Sequence, residues 1–465
     1  MEMILLMKNE MLLALLLAVL LIIRIKGDHE QVYWIRLMLG MMFVVCIAGW
    51  IGNTEGSMFD SMYITSPLIA FQKNALNTGT LIILLFSSGW FRRLRHLPEF
   101  FMLMTTALMG MSFMVSSGNL LMFYLALEMS TIPIAAMCNF NLADRRSSEA
   151  AMKMIFSSAF SSCIMLLGIS FIYGATGTLN FQEISAFGDS PVFLAGFVFF
   201  FAGLVFKLSV VPFHFWTADV YEGSPVAVTA FLSVISKGAM VFAFANILYH
   251  AFSLMHREWY LLLSVLSMLT IVIGNLFALR QENLKRFLAF SSISQVGFIL
   301  IGISGYANDG LASSIYFVVV YVFSNLAAFA VVSVVSELSG RETISQYKGL
   351  SENHPGLAWT MAIALFSLAG IPPTAGFFGK FFLLASGAAK GNYILISIAA
   401  LNMMVSLYYY LRVIRAMFMD ARQEPMPNIV SGNGFKVAVV ICIAGIMLTG
   451  LVGSVYQYIY LLGAK

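Results

Sequence analysis

The chain has 465 residues, 60% of them hydrophobic and only 10% charged, with a formal net charge of +4. A soluble domain carries about 25% charged residues, so this composition excludes a soluble globular protein and makes the bilayer the solvent. Nothing in the sequence suggests soluble-type catalysis or nucleic-acid binding: it has no glycine-rich phosphate loop, no metal-ligand spacing and no nucleophile with an adjacent base.

Apolar stretches of about 20 residues, the length that spans a hydrocarbon core, recur from end to end. In chain order they fall at 3–23, 32–51, 66–87, 98–116, 119–138, 149–173, 191–222, 225–250, 259–279, 286–304, 311–337, 356–388, 392–419 and 436–462. The expected fold is therefore all-α and polytopic, one membrane domain over 1–465 with about fourteen transmembrane helices. The first stretch, from Met3 to Ile23, lacks a basic leader and a small-residue cleavage site, so it is kept as a helix. Cys46, Cys138, Cys163 and Cys442 lie far apart in apolar runs and read as buried structural thiols.

Two stretches exceed a simple span, and both carry proline in mid-course: Pro212 in 191–222, Pro372 and Pro373 in 356–388. Proline removes a backbone donor and clashes with the preceding turn, so both read as broken helices. They are the seventh and twelfth spans. Each would be the fourth member of a five-helix unit, 98–250 (spans 4–8) and 259–419 (spans 9–13). Consecutive units with five passes lie in opposite orientations, as in many transporters. Residue similarity between the two units is weak, and the pattern alone leaves the repeat open.

Lysine and arginine in the connections set the orientation. Odd-numbered connections carry Arg24, Lys26, Arg92, Arg93, Arg95, Arg145, Arg146, Arg280, Lys285, Arg286, Arg341, Lys348 and Arg422, and even-numbered ones only Arg257 and Lys390. Odd connections are expected on the cytoplasmic side and both termini on the outer side. The connection holding Asp219 and Glu222 is odd yet has no basic residue, which reads as a buried segment.

Five lysines fall well inside predicted spans: Lys73, Lys153, Lys207, Lys237 and Lys380. Arg412 lies near the end of span 13, where it can snorkel. Lysine releases its proton when desolvated and arginine does not, so lysine suits a site that loads and unloads protons. Glu128 lies roughly 14 Å into its span and Lys237 roughly 18 Å past Pro225, near the middle of the hydrocarbon core. Lys207 precedes Pro212 by a turn and a half, and Lys380 follows Pro373 by about two turns. Buried ionisable groups mark ion pathways by default, and Glu128 is the natural partner of one lysine. For the shallower Lys73 and Lys153, a static ion pair or a snorkelling chain competes with that reading. His214, just after Pro212, is a candidate relay or an ordinary interfacial histidine. Ser157, Ser158, Ser161 and Ser162 on span 6 read as packing positions or as a lining for water.

Several of these segments resemble the subunit N family of bacterial NADH–quinone oxidoreductase (respiratory complex I): KLSVVPFHFWTADVYEGSP from Lys207, SSGNLLMFYLALEMSTIP around Glu128, Glu149 to Gly168 with Lys153, NLKRFLAFSSISQVGFILIG from Asn283, Gly370 to Phe381 with Lys380, and VISKGAMVFA with Lys237. The resemblance covers essentially the whole chain. It implies two inverted five-helix units, and a proton path of Glu128, Lys153, Lys207, Lys237 and Lys380, with Glu128 modulating Lys207, Lys153 on the input side and Lys380 passing the proton out. It implies a bacterial inner-membrane protein without a redox cofactor of its own. NADH, FMN, iron–sulfur clusters and quinone would belong to other subunits, and the partners would be other membrane subunits, including sibling antiporter-like subunits, and the lipid bilayer. A subunit of a multi-subunit cation/proton antiporter, or a standalone secondary transporter, is the alternative. Two positions depart from the family pattern: Ala218 stands where proline is frequent, and Gln295 where histidine is frequent. Glutamine cannot carry a proton charge, so a relay through that position needs water or another route.

Overall fold

The computed structural model describes residues 5–52, 55–187, 190–421, 429 and 431–464. Met3, the expected start of the first span, and Arg422 lie outside them. The spans are α1 (Lys8–Lys26), α2 (Gln31–Trp50), α3 (Pro67–Phe86), α4 (Leu97–Val115), α5 (Leu120–Cys138), α6 (Arg145–Thr176), α7a (Pro191–Lys207) with α7b (Phe215–Gly223), α8 (Val226–His250), α9 (His256–Leu279), α10 (Leu284–Ser304), α11 (Asn308–Ser339), α12a (Pro355–Ala369) with α12b (Ala375–Ala388), α13 (Tyr393–Phe418) and α14 (Asn433–Leu451). A short α15 (Ser454–Gly463) follows a break at 452–453, so the expected last span is two helices. A two-stranded hairpin, Gly56–Met58 paired antiparallel with Tyr63–Thr65, fills the connection between α2 and α3.

Burial orders the helices around an axis. Every residue of α10 but Arg286 is buried, and α11 and α8 are nearly so, whereas α2, α6 and α13 leave most of their surface open. The outer surface is apolar: Leu125, Phe160, Met404 and Tyr408 are each 60% or more exposed. In water this would be untenable, and in hydrocarbon it costs nothing.

Both prolines break their helices as expected, and by the same backbone device. Three residues before Pro212 and Pro373 stand Ser209 and Gly370, each with positive φ (62° and 85°), and both proline peptide bonds are cis. The repeat, weak in sequence, is plain elsewhere too. Asn119 caps α5 and Asn283 caps α10, each side chain accepting backbone N–H groups of the first turn. Each asparagine also forms an isolated bridge to the stretch before the broken helix, Asn119 to Asn180 and Asn283 to Thr343. Nine residues before each cap stands a glycine on the neighbouring helix. A Cβ on Gly110 would lie 2.7 Å from the Ser130 nitrogen, and one on Gly274 2.8 Å from the Ser294 nitrogen. The two pairs α4–α5 and α9–α10 are thus packed alike, through a contact only glycine permits.

Two expectations about single residues need correction. Cys163 is exposed on α6, while Cys46, Cys138 and Cys442 are buried. Arg412 does not snorkel into open interface: its guanidinium donates to the Leu279 and Gln281 carbonyls (2.8 and 2.5 Å) and so caps the C-terminus of α9. Arg36 and Arg415 also lie within helices, both near an end.

Candidate proton pathway

Asp219 and Glu222 do form a held segment, α7b, and their cations come from elsewhere in the fold. Lys153 of α6 contacts Asp219 and Glu149 at 2.7 Å each, and Arg286 of α10 contacts Asp219 (2.7 Å) and Glu222 (3.0 Å). This five-member ionic network lines an open cavity of about 240 Å³. Lys153 is therefore at the protein surface, 42% exposed by side chain. The sequence offered Asp219 as unusual without saying that Lys153 was its partner.

Lys207 is the last residue of α7a, at the break. Its ammonium donates to Ser158 Oγ and, at 3.5 Å, to Thr131 Oγ1. Glu128 accepts from Ser162 Oγ. Ser158 and Ser162 are one turn apart on α6. The expected Glu128–Lys207 pair is thus not in direct contact: each group bonds its own serine on the same face of α6. Of the four span-6 serines, Ser158 and Ser162 line the charged groups, Ser161 packs against Gly203, and Ser157 bonds its own helix at Lys153 (2.5 Å).

Lys237 follows a π-helical turn, Phe231–Ser236, in the middle of α8. Such turns are rare and cluster at functional sites, and no sequence signal pointed to this one. Lys237 is 4% exposed, donates to Ser292 Oγ at 2.7 Å and lies over the Tyr221 ring. Beside it Ser233, Tyr321 and Asn325 form a closed hydroxyl–amide triangle with sides of 3.1, 3.0 and 2.7 Å.

Lys380 is fully buried on α12b and donates to the Leu368 and Ala369 carbonyls (2.7 and 3.2 Å), the orphan acceptors at the end of α12a. Gln295 donates to the same Leu368 carbonyl at 3.1 Å and to the Tyr410 hydroxyl at 3.2 Å. Its Oε1 is buried without a partner among the described residues. Gln295, Ser292, Lys237 and Tyr321 line one small cavity of about 10 Å³, the room a single water needs. A polar line therefore runs from Lys237 through Ser292 and Gln295, one turn apart on α10, to Lys380.

The repeat aligns these groups. Ser292 and Gln295 stand nine and twelve residues after Asn283, as Glu128 and Thr131 stand after Asn119. One face of α5 meets Lys207 and the equivalent face of α10 meets Lys237 and the α12 break. Lys207 and Lys380 themselves are not equivalent: Lys207 precedes its break, while Lys380 follows its own by the offset that places Asp219 after Pro212.

Among the described residues no carboxylate comes within 4.0 Å of Lys207, Lys237 or Lys380. Lys73 does have one, Glu10 of α1. Lys285, expected in a connection, is buried against Glu342 at 3.1 Å. His214 is buried between Phe215 and Phe277, and no hydrogen bond joins it to the lysines. No group of three or more His, Cys, Asp or Glu able to hold a metal ion occurs among the described residues.

A family model described as NADH:quinone oxidoreductase/Mrp antiporter, TM, matches residues 117–406. NADH-quinone oxidoreductase subunit N of Azobacteroides pseudotrichonymphae genomovar. CFP2 is 46% identical over 410 residues, 87% of this chain and 85% of that one. The protein of the same name from Phocaeicola vulgatus is 43% identical over 432 residues, 92% of each chain. A chain from the structure of respiratory complex I from Thermus thermophilus with bound aureothin has a TM-score of 0.83 and 28% identity, covering 96% of this chain and 98% of that one.

Proposed function

The chain belongs to the NADH:quinone oxidoreductase/Mrp antiporter membrane family, with the subunit N proteins as its relatives, and on that premise we propose that its buried lysines form a proton path across the helix bundle. The protein is a multi-pass bacterial membrane subunit of a proton-translocating NADH–quinone oxidoreductase and is not the redox site. NADH, FMN, iron–sulfur clusters and quinone then belong to other subunits, and sibling antiporter-like subunits and lipid border this chain. Both termini face the outer side, and the inverted halves are 98–250 and 259–419.

The observation that carries the path is the line of donors and acceptors from Lys237 to Lys380. Ser292 accepts from the Lys237 ammonium and Gln295 lies one turn further. A water on the free Gln295 Oε1 would stand between that ammonium and the carbonyl held by Lys380. Gln295 thus moves protons through a held water, not through its own ring as a histidine would. On the other side Glu128 acts on Lys207 through Ser162 and Ser158, and Lys153 with Asp219 takes up protons at the surface. Displacing the carboxylate makes the Lys207 cation costlier and drives its proton onward, the coupling of buried charges. His214, among aromatic rings, is a secondary candidate relay.

The test is replacement of Lys237 by alanine in the assembled complex, with NADH oxidation and proton uptake measured together in membrane vesicles. Proton uptake per NADH is expected to be lost. Normal uptake with normal assembly would sink the path.

A further inference from the structure

One buried ionisable cluster lies outside this path. Glu10 of α1, Tyr63 of the hairpin and Lys73 of α3 are each 2% exposed or less. The Lys73 ammonium contacts Glu10 Oε1 at 2.5 Å and donates to the Tyr63 hydroxyl at 3.0 Å, and that hydroxyl donates to Glu10 Oε2 at 3.0 Å. The three groups close a ring. On the same two helices stand polar atoms with no hydrogen-bond partner among the described residues: Asn9 Oδ1, next in chain to Glu10, both side-chain polar atoms of Asn77, one turn from Lys73, and those of Asn74, which faces Gly49 of α2. All three asparagines are at least nine-tenths buried. Buried polar groups are satisfied by protein or by ordered water, so such orphans call for water.

Two further features border the cluster, a cavity lined by its chain neighbours and the packing of α3 on α8. Ile64 and Gln72, the chain neighbours of Tyr63 and Lys73, line an open cavity of about 310 Å³ on the side of the N-terminus, together with Glu55, Asn246 and His250. On the inner side, Asn77 is one turn from Lys73. The adjacent Leu76 and Gly79 pack against Gly238 and Ile235 of α8, the residues that flank Lys237. We propose that Glu10, Tyr63 and Lys73 form a second proton-exchange station, opening to the N-terminal-side cavity and joined through water on Asn77 to the helix of Lys237. This rests on the path proposed above. In the step, the Lys73 ammonium gives one proton to the Glu10 carboxylate, leaving an amine and a carboxylic acid with no change in total charge. The acid then releases that proton to cavity water, and the amine is reprotonated from the Lys237 ammonium through the water on Asn77, which receives one proton as it passes one on and leaves Lys237 as the amine. Tyr63 holds donor and acceptor in register throughout.

The competing role is a static clamp of α1 to α3. The two separate because apolar side chains of similar volume replace a buried ion pair without loss of stability in many proteins. The double variant Glu10→Leu/Lys73→Met, in the whole complex, is expected to assemble and oxidise NADH but to lose proton uptake per NADH. Uptake equal to that of the parent complex would overturn the station. Should that variant fail to assemble, Tyr63→Phe decides, since it removes one hydroxyl and leaves the pair: reduced uptake per NADH supports the station, and unchanged uptake overturns it. A normal Lys237→Ala complex would instead remove the central path, so the two failures are distinguishable.

Discussion

A buried cation without a counter-ion is the central fact at the scale of single residues. Lys237 and Lys380 meet hydroxyls, carbonyls and the ring faces of Tyr221 and Phe298, which stabilise an ammonium less than a carboxylate would and leave it able to discharge. Lys380→Arg keeps the charge and removes the ability to release a proton. It is expected to leave an assembled complex with little proton uptake, read as uptake per NADH oxidised. Ser158 bonds Lys207 and Ser162 bonds Glu128, and a hydrogen bond to a charged group is worth about 1.5–3 kcal/mol. Ser158→Ala with Ser162→Ala should therefore slow proton uptake while sparing assembly, and equal rates in the double variant and the parent would show that the serines are idle. Arg412 is different in kind: it satisfies the last carbonyls of α9, and charged hydrogen bonds contribute about 1.5–3 kcal/mol. Arg412→Ala should lower the thermal stability of the complex without changing uptake per NADH.

Among the elements, paired devices do the positioning. Asn119 and Asn283 each cap a helix and pin the stretch that leads to a broken span. Replacing either by alanine costs about 1 kcal/mol at the cap alone. The Asn283 variant should disturb the lysine line more, because α10 carries Ser292 and Gln295. Assembly yield and proton uptake, compared between the two variants, test that asymmetry. Gly110 and Gly274 let backbones touch, and a leucine at either would drive α4 from α5 or α9 from α10. Overpacking of this kind typically costs about 1–3 kcal/mol. The π turn before Lys237 packs against α3 and α11, and no local pattern marks it.

For the whole molecule, the bundle buries α8, α10 and α11 and leaves α2, α6 and α13 largely open at its surface. Half-buried Glu128 and Lys207, and exposed Lys153 with Asp219, lie on or near α6, whose surface is largely open. A charged face of this kind is covered in an assembly, so the chain should copurify with other membrane subunits after mild detergent extraction. The isolated chain in liposomes should move no protons against a gradient, and sustained exchange by the chain alone would favour an antiporter.

By itself the sequence determined what composition and local chemistry dictate. The spans follow from apolar runs, because hydrocarbon tolerates nothing else. The two breaks follow from Pro212 and Pro373, because proline acts on its own turn. The identity of the deep cations as lysine follows from the letters alone. Tertiary structure decided who meets whom. Lys153 pairs with Asp219, Lys73 with Glu10, and Glu128 and Lys207 each bond a serine of α6, since helix rotation and approach set these distances and neither is written in a local pattern. The repeat was hidden for the same reason: its two halves preserve caps, glycine contacts and backbone breaks at matching positions while exchanging Glu128 for Ser292 and Asp219 for Lys380. Geometry was kept where backbones must touch, and side chains diverged where the chemistry differs.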